Sequence, residues 1–129
     1  MLIPIESKVD EPEFRRLLMK HFPELSEEIE DDEGLIHMEM GSLENLANRC
    51  IKSGELEYLK KIYEFIDDLA RHQSEVHSDV INAINVSFLE GLNFENKAHG
   101  ETAKRMLTPA MSKMWEAQME HNRKIGWLK

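Results

Sequence analysis

The chain has 129 residues, of which 41% are hydrophobic and 32% charged, and its formal net charge is −9. This size and composition fit one globular domain and exclude a disordered tail. No apolar run approaches the roughly 20 residues that a membrane-spanning helix needs. The start, MLIPIESKVDEPE, lacks the basic and apolar regions of a signal peptide. We therefore expect a cytoplasmic protein in which the lone Cys50 is reduced and buried.

The charge is unevenly distributed along the chain. Residues 1–33 carry 11 acidic and 4 basic side chains, whereas residues 98–129 carry 3 acidic and 6 basic ones. An acidic body argues against binding to a phosphate backbone, which requires clustered Lys and Arg. It favours a basic macromolecular partner that is attracted by the electrostatic field of the protein.

Helical spacing of apolar residues is the main structural signal in the first part of the chain. After an extended lead-in over residues 1–9, Asp10 is predicted to cap a first helix. Pro23 is predicted to end that helix and to open a short acidic one, which Gly34 breaks. Apolar residues at three- and four-residue steps predict that the first helix turns one face to the core.

A third helix is expected over residues 35–52. Its apolar stripe runs through the second half of this range, at the spacing of one buried helix face. Met38 and Met40 are interpreted as core fillers, because methionine packs into irregular gaps. Gly41 and Ser42 interrupt the helical pattern and predict a kink or a restart at that point.

The stretch from Glu55 to Leu92 is expected to organise the fold as a pair of helices. The first helix of the pair has one apolar face, whereas the second, from Val76 to Leu89, is apolar almost all round and should be central. Two more helices are predicted, the last one ending before a short tail over residues 126–129. The sequence thus predicts an all-α single domain over residues 1–129. It should contain about six or seven helices stacked as antiparallel pairs, in a HEAT-like or an irregular bundle.

Histidines and carboxylates in HQSEVHSD, at residues 72–79, invite a metal-site interpretation. His72 and His77 are five residues apart across a helix break, whereas a zinc pair on one helix is four apart. Glu75 and Asp79 are explained as well by capping and by the helix dipole. We therefore expect neither a metal nor another cofactor.

Motifs for catalysis are also missing. The sequence contains no GxGxxG, P-loop or GxSxG pattern. No histidine is near Cys50 in the sequence, and Asp67 and Asp68 are predicted to lie on the outer, solvated face of their helix. The sequence therefore predicts no catalytic residues and no enzyme activity.

The acidic run from Glu27 to Glu33, with Glu24 just before it, is the strongest candidate for a binding surface. Close carboxylates repel one another and destabilise the helix that carries them, and a cationic partner would relieve this repulsion. Other acidic residues lie on the central pair of helices. The predicted partner-binding residues are Glu27, Glu28, Glu30, Asp31, Asp32, Glu33, Asp67, Asp68, Glu75 and Asp79.

Several segments of the chain resemble a family of small helical proteins that occur beside polymorphic bacterial toxins. The resemblance rests on FPEL at 22–25, LIH at 35–37, LKKIYEFIDDLA at 59–70, EV at 75–76, INVSFLEGL at 84–92 and LTP at 107–109. It implies an immunity protein of the contact-dependent growth inhibition type, which binds and blocks the toxin domain of its own locus. Many such toxins are nucleases.

The expected function is therefore an immunity protein that neutralises a basic nuclease toxin, with no direct nucleic-acid or membrane partner. An acidic inhibitor can occupy the surface that such a toxin uses for phosphates. The alternative is a non-catalytic helical adaptor that binds a peptide in an apolar groove, with an affinity that depends little on salt. A small metal-dependent enzyme would require His and carboxylate side chains that converge in space.

Overall fold

The computed structural model describes residues 9–126, which form an all-α single domain. Short 3-10 turns occur at Pro23–Leu25 and Gln73–Glu75, and a π-helical turn at Asn85–Leu89 directly continues the α-helix that ends at Ile84. The helices are α1 (Glu11–His21), α2 (Ser26–Asp31), α3 (Ile36–Ser53), α4 (Leu56–Arg71), α5 (Ser78–Ile84), α6 (Gly100–Arg105) and α7 (Pro109–Gly126). The predicted fold class is confirmed. The predicted lead-in up to residue 8 and the tail beyond residue 126 lie outside the described residues.

The first helices begin and end where the sequence predicts. The Oδ1 atom of Asp10 accepts a hydrogen bond of 3.1 Å from the backbone N–H of Glu13, which caps α1. Pro23 lies just beyond the end of α1, and Gly34, with φ of 85°, forms the turn before α3. That left-handed conformation suits glycine, which has no Cβ to clash with the backbone.

A short backbone pairing joins the start of the described chain to the connection between α4 and α5. The N–H of Val9 donates to the carbonyl of Glu75 over 2.8 Å, and the N–H of His77 donates to the carbonyl of Val9 over 2.7 Å. Val9 and Val76 thereby form an isolated parallel bridge. This bridge fixes the N-terminal side of α1 beside α5.

The segment formed by α5 and the π-helical turn lies at the centre of the fold, as predicted. It contacts α1, α3, α4 and α7, and Val80, Ile84 and Phe88 are fully buried. Helices that are distant in sequence touch directly, such as α1 with α5 and α4 with α7. In a serial stack of repeats each unit contacts only its neighbours, so these contacts favour the irregular bundle over the HEAT-like arrangement.

The predictions for α3 were partly wrong. The helix continues through Gly41 and Ser42 without a restart, and Met38 is exposed, whereas Glu39 and Met40 are fully buried. The reason is the helical period: a step of four residues back from the buried Leu43 reaches Glu39 and not Met38. The charged side chain therefore occupies a core position, and the apolar one faces solvent.

The prediction for Asp67 was wrong, because this residue joins two helices. Its Oδ1 atom accepts a hydrogen bond of 2.6 Å from the hydroxyl of Thr108, and its Oδ2 atom accepts one of 2.8 Å from Arg71. The Thr108 hydroxyl oxygen in turn accepts from the N–H of Met111 over 3.2 Å, at the start of α7. Asp67 therefore supports the cap of α7 and is not a freely solvated carboxylate.

Replacing Thr108 by valine is expected to lower the free energy of unfolding by about 1–2 kcal/mol. Valine keeps the shape of threonine but can neither accept from Met111 nor donate to Asp67. Urea denaturation would measure the change. The matched control is Thr102→Val on the exposed side of α6, which should alter the stability by less than about 0.5 kcal/mol. Equal effects of both substitutions would contradict the capping role of Thr108.

Candidate protein-binding surface

The acidic segment, residues 24–33, covers the end of the first 3-10 turn, α2 and the turn that follows α2. Leu25 and Ile29 are buried and hold this short segment against the core. α2 packs mainly on α3 and α1. With its two apolar residues inward, the segment turns its carboxylates outward. All seven acidic residues of the segment are exposed or half-exposed: Glu24, Glu27, Glu28, Glu30, Asp31, Asp32 and Glu33.

The carboxylates of the acidic segment form no ion pair with another described residue. Among residues 9–126, no Lys, Arg or His nitrogen lies within 4.0 Å of any of them. Five acidic residues elsewhere pair with an arginine three or four residues away in the same helix. These pairs are Glu11–Arg15, Glu13–Arg16, Asp67–Arg71, Glu101–Arg105 and Glu120–Arg123. The segment therefore carries uncompensated negative charge, in contrast to the helices around it.

A groove of about 310 Å³ lies between α2 and α3 and opens onto this charge. Glu24, Glu27, Glu28 and Asp31 line it, together with Arg49 of α3. Four carboxylates outnumber the single guanidinium, so the groove is negative even with Arg49 in it. A lysine or arginine side chain of a partner would gain Coulomb energy there, with a strength that depends on salt.

The other predicted binding residues lie apart from the acidic segment. Asp68 is exposed near the end of α4, and Glu75 and Asp79 are exposed around the connection between α4 and α5. In that connection His77 caps α5, because its Nδ1 atom accepts from the N–H of Asp79 over 3.0 Å. The ten predicted residues are therefore spread over three places, and six of them, residues 27–33, form one surface.

A second groove, of about 500 Å³, runs between α1 and α4 and has an aromatic floor. The rings of Phe22 and Phe65 meet edge to face with centroids 5.4 Å apart, and His21 packs on Phe65 at the same centroid distance. Lys61 lies 5.4 Å from the centroid of the Phe22 ring. Charged side chains of both signs surround these rings, among them Asp68, so this groove has no strong net charge.

Several side chains that could bind a metal or act as a nucleophile are buried or make structural contacts in the described part of the chain. No three His, Cys, Asp or Glu side chains of residues 9–126 converge on a point that could hold a metal ion. The Nδ1 atom of His72 is 2.7 Å from the carbonyl oxygen of Asp68, and that of His99 is 2.9 Å from the carbonyl oxygen of Ile51. Burial raises the pKa of the Cys50 thiol, which disfavours the reactive thiolate.

Leu35 and Met38 are two surface residues that the sequence interpretation missed. Leu35 precedes the first turn of α3 and Met38 belongs to it, and both side chains are more than half exposed next to the acidic segment. A helical projection of residues 36–50 could have shown that Met38 is exposed. Its position lies outside the part of the helix circumference that contains the buried Met40, Leu43 and Ala47. An exposed apolar pair beside unpaired charge is the composition of a protein interface.

The helices and surfaces together define a small all-α protein with an uncompensated acidic face. Within residues 9–126 no helix has the length and apolar character needed to span a membrane. The chain belongs to the family described as a domain of unknown function, DUF7674, whose model matches residues 15–122. Comparisons with curated proteins and with solved structures find no match.

Proposed function

We propose that the protein is an immunity protein that binds and neutralises a basic toxin domain, with a nuclease as the favoured class of toxin. The observation that carries the proposal is the acidic segment, in which seven carboxylates have no cation within 4.0 Å among the described residues. Such a segment costs folding energy through repulsion, and a cationic partner would recover this cost.

Inhibition follows from the chemistry of nucleases. A nuclease holds a phosphate backbone on clustered Lys and Arg side chains. The exposed carboxylates of the acidic segment present negative charge of similar density, and they would occupy that basic surface in place of nucleic acid. Long-range attraction between the two proteins would speed their association, and this rate would fall as salt is added. The segments that resemble toxin-associated immunity proteins support the same interpretation.

The first test is co-purification with the product of the neighbouring gene, followed by a growth assay. We expect one basic domain in equal amount, resistant to moderate salt, and protection of cells that express it. Recovery of several unrelated proteins, or of none, together with a lack of protection, would overturn the proposal.

A triple variant, Glu27→Gln with Glu28→Gln and Asp31→Asn, tests the role of the acidic segment. It is expected to weaken binding about 10- to 100-fold at low salt and to flatten the salt dependence of the affinity. The matched control is Glu57→Gln with Glu95→Gln and Glu116→Gln, which removes the same charge from exposed positions elsewhere. The control should change the affinity by less than about threefold, because exposed charges outside an interface contribute little. If both triple variants bind alike, the acidic segment is not the docking surface.

The alternative function, an adaptor that binds a peptide, is favoured by the aromatic groove between α1 and α4. Phe65 is half-exposed in the floor of this groove and offers an apolar ring to a ligand. An adaptor of this kind would lose its ligand in a Phe65→Ala variant and would bind with an affinity that salt hardly changes. Binding of a toxin domain by the proposed immunity protein would instead persist in the Phe65→Ala variant and weaken as salt is added.

A further inference from the structure

Large apolar side chains are exposed at few places in the described part of the chain, and two of them, Leu35 and Met38, lie three residues apart at the start of α3. Among residues 9–126, the exposed large apolar residues are Leu35 (55%), Met38 (56%), Val86 (42%) and Ile125 (46%). Leu35 directly follows the acidic segment and its Gly34 turn, and Met38 lies one turn into α3. Val86 adjoins Ser87, whose hydroxyl oxygen is 2.6 Å from Nδ1 of His37.

Packing of the monomer does not account for these exposed residues. Met38 lies between His37, which contacts the π-helical turn, and Glu39, which is fully buried, so its own position points away from the core. Single exposed apolar residues are normal on protein surfaces, but clustered ones mark sites of interaction.

The surface beside Met38 is open. Gly41 lies one turn further along α3, and a Cβ atom built there would have no atom within 4 Å outside its own helix backbone. The first two turns of α3 therefore present Leu35 and Met38 with no side chain at position 41 above them. A partner can approach the helix closely at this point.

We propose that Leu35 and Met38 form the apolar anchor of the surface that docks the toxin domain, and that the acidic segment is its charged rim. This inference rests on the proposed function. The partner surface that fits is an apolar patch bordered by Lys and Arg side chains, because the anchor adjoins seven uncompensated carboxylates. An apolar centre with a polar rim is the usual anatomy of a stable protein interface.

The two parts of this surface should act on different kinetic steps. Rim charges act at a distance, so they change the association rate and its salt dependence. Buried apolar anchors act only after contact, so they change the dissociation rate. The anchor and the rim can therefore be told apart in one kinetic experiment with the toxin domain.

The experiment compares the double variant Leu35→Ala with Met38→Ala to the wild type by surface plasmon resonance against the purified neighbouring toxin domain. We expect dissociation to be about 10- to 50-fold faster, association to change less than about threefold, and the salt dependence to stay unchanged. The matched control is Ile125→Ala, which truncates the exposed apolar residue near the end of α7 and should leave both rates unchanged. Thermal unfolding of each variant checks that the fold is intact.

A second variant adds bulk instead of removing it. Gly41→Trp adds a large ring next to Met38 at a position where a Cβ atom would have no atom within 4 Å outside its own helix backbone. It is expected to weaken binding at least 10-fold without lowering the thermal stability, so it tests the site even if the double variant unfolds.

The possible outcomes separate this inference from the proposed function. In one outcome the wild type binds the toxin domain and the acidic triple variant binds it more weakly. If the Leu35/Met38 and Gly41→Trp variants then bind like the wild type, the anchor is refuted and the immunity role stands. If the wild type does not bind the toxin domain at all, the proposed function fails and the anchor fails with it. Faster dissociation in the double variant together with weakened binding by Gly41→Trp would support the anchor.

Discussion

Replacing Glu39 by glutamine is expected to stabilise the protein by about 2–4 kcal/mol at pH 8.5 and to change its stability little at pH 4. Burial, together with the neighbouring Glu11 carboxyl group, raises the pKa of the Glu39 carboxyl to about 8. The N–H of Gly34, which donates to Oε2, and the guanidinium of Arg15, 3.9 Å from Oε2, act in the opposite direction. The protonated form therefore predominates in the folded protein at neutral pH.

The sign of the pH dependence follows from the raised pKa. Between the ordinary value of 4.5 and the folded value of about 8, the unfolded chain releases the Glu39 proton and the folded chain keeps it. The stability of the wild type must therefore fall as the pH rises through this range, and then level off above it. Glutamine cannot ionise, so the variant avoids this loss.

Urea denaturation at pH 4, 6 and 8.5 would measure this effect, with Glu57→Gln on the exposed face of α4 as the control. The free energy of unfolding of the Glu39→Gln variant should still fall with rising pH, but less than that of the wild type. The remaining fall is expected because burial and the charge of Glu90 raise the pKa of Glu44 as well. A wild type whose stability is constant from pH 4 to 8.5, or a variant that is less stable at every pH, would show that Glu39 is ionised in the fold.

Replacing Gly100 by alanine is expected to destabilise the protein by about 2–3 kcal/mol. Gly100 is buried at the first position of α6, and an added methyl group would overlap the backbone carbonyl of Phe94. The Phe94 carbonyl is a backbone group, so it cannot rotate away from the added methyl group as the end of a long side chain could. The loop is also held by Asn96, whose side-chain oxygen accepts from the N–H groups of Ala98 and His99. Relief of the overlap would therefore break these hydrogen bonds.

The same substitution at Gly41 is the matched control. Gly41 also lies in a helix, but a methyl group there meets nothing within 4 Å. Alanine should raise the free energy of unfolding by about 0.4–1 kcal/mol, because it lowers the entropy of the unfolded chain and favours the helix. Thermal and urea unfolding of both variants would test the pair. If both substitutions changed the free energy of unfolding in the same direction, the close approach of Gly100 to the Phe94 carbonyl would be refuted.

The helices were predictable because their signals are local. Asp10, Pro23 and Gly34 mark helix ends through backbone geometry, and these signals do not depend on distant residues. The central position of α5 followed from its nearly continuous apolar surface. The order in which the helices pack was less accessible, because contacts such as that between α1 and α5 join parts of the chain that no local pattern links.

The candidate site was predictable in its charge and not in its contacts. The sequence shows that residues 24–33 contain seven acidic side chains, but only the structure shows that no described cation pairs with them. Nothing in the sequence distinguishes Asp67 from Asp68. In the structure only Asp67 accepts a hydrogen bond from the hydroxyl of Thr108. Composition also suggests that Met38 is buried and Glu39 is exposed. Their helical positions reverse this assignment.

The bridge between Val9 and Val76 has a consequence for sequence divergence within the family. Its two hydrogen bonds use only backbone groups, so the link survives most substitutions at Val9 and His77 and is lost mainly when proline removes a donor. The charge and shape of the surface around this connection can therefore vary while its backbone path stays the same.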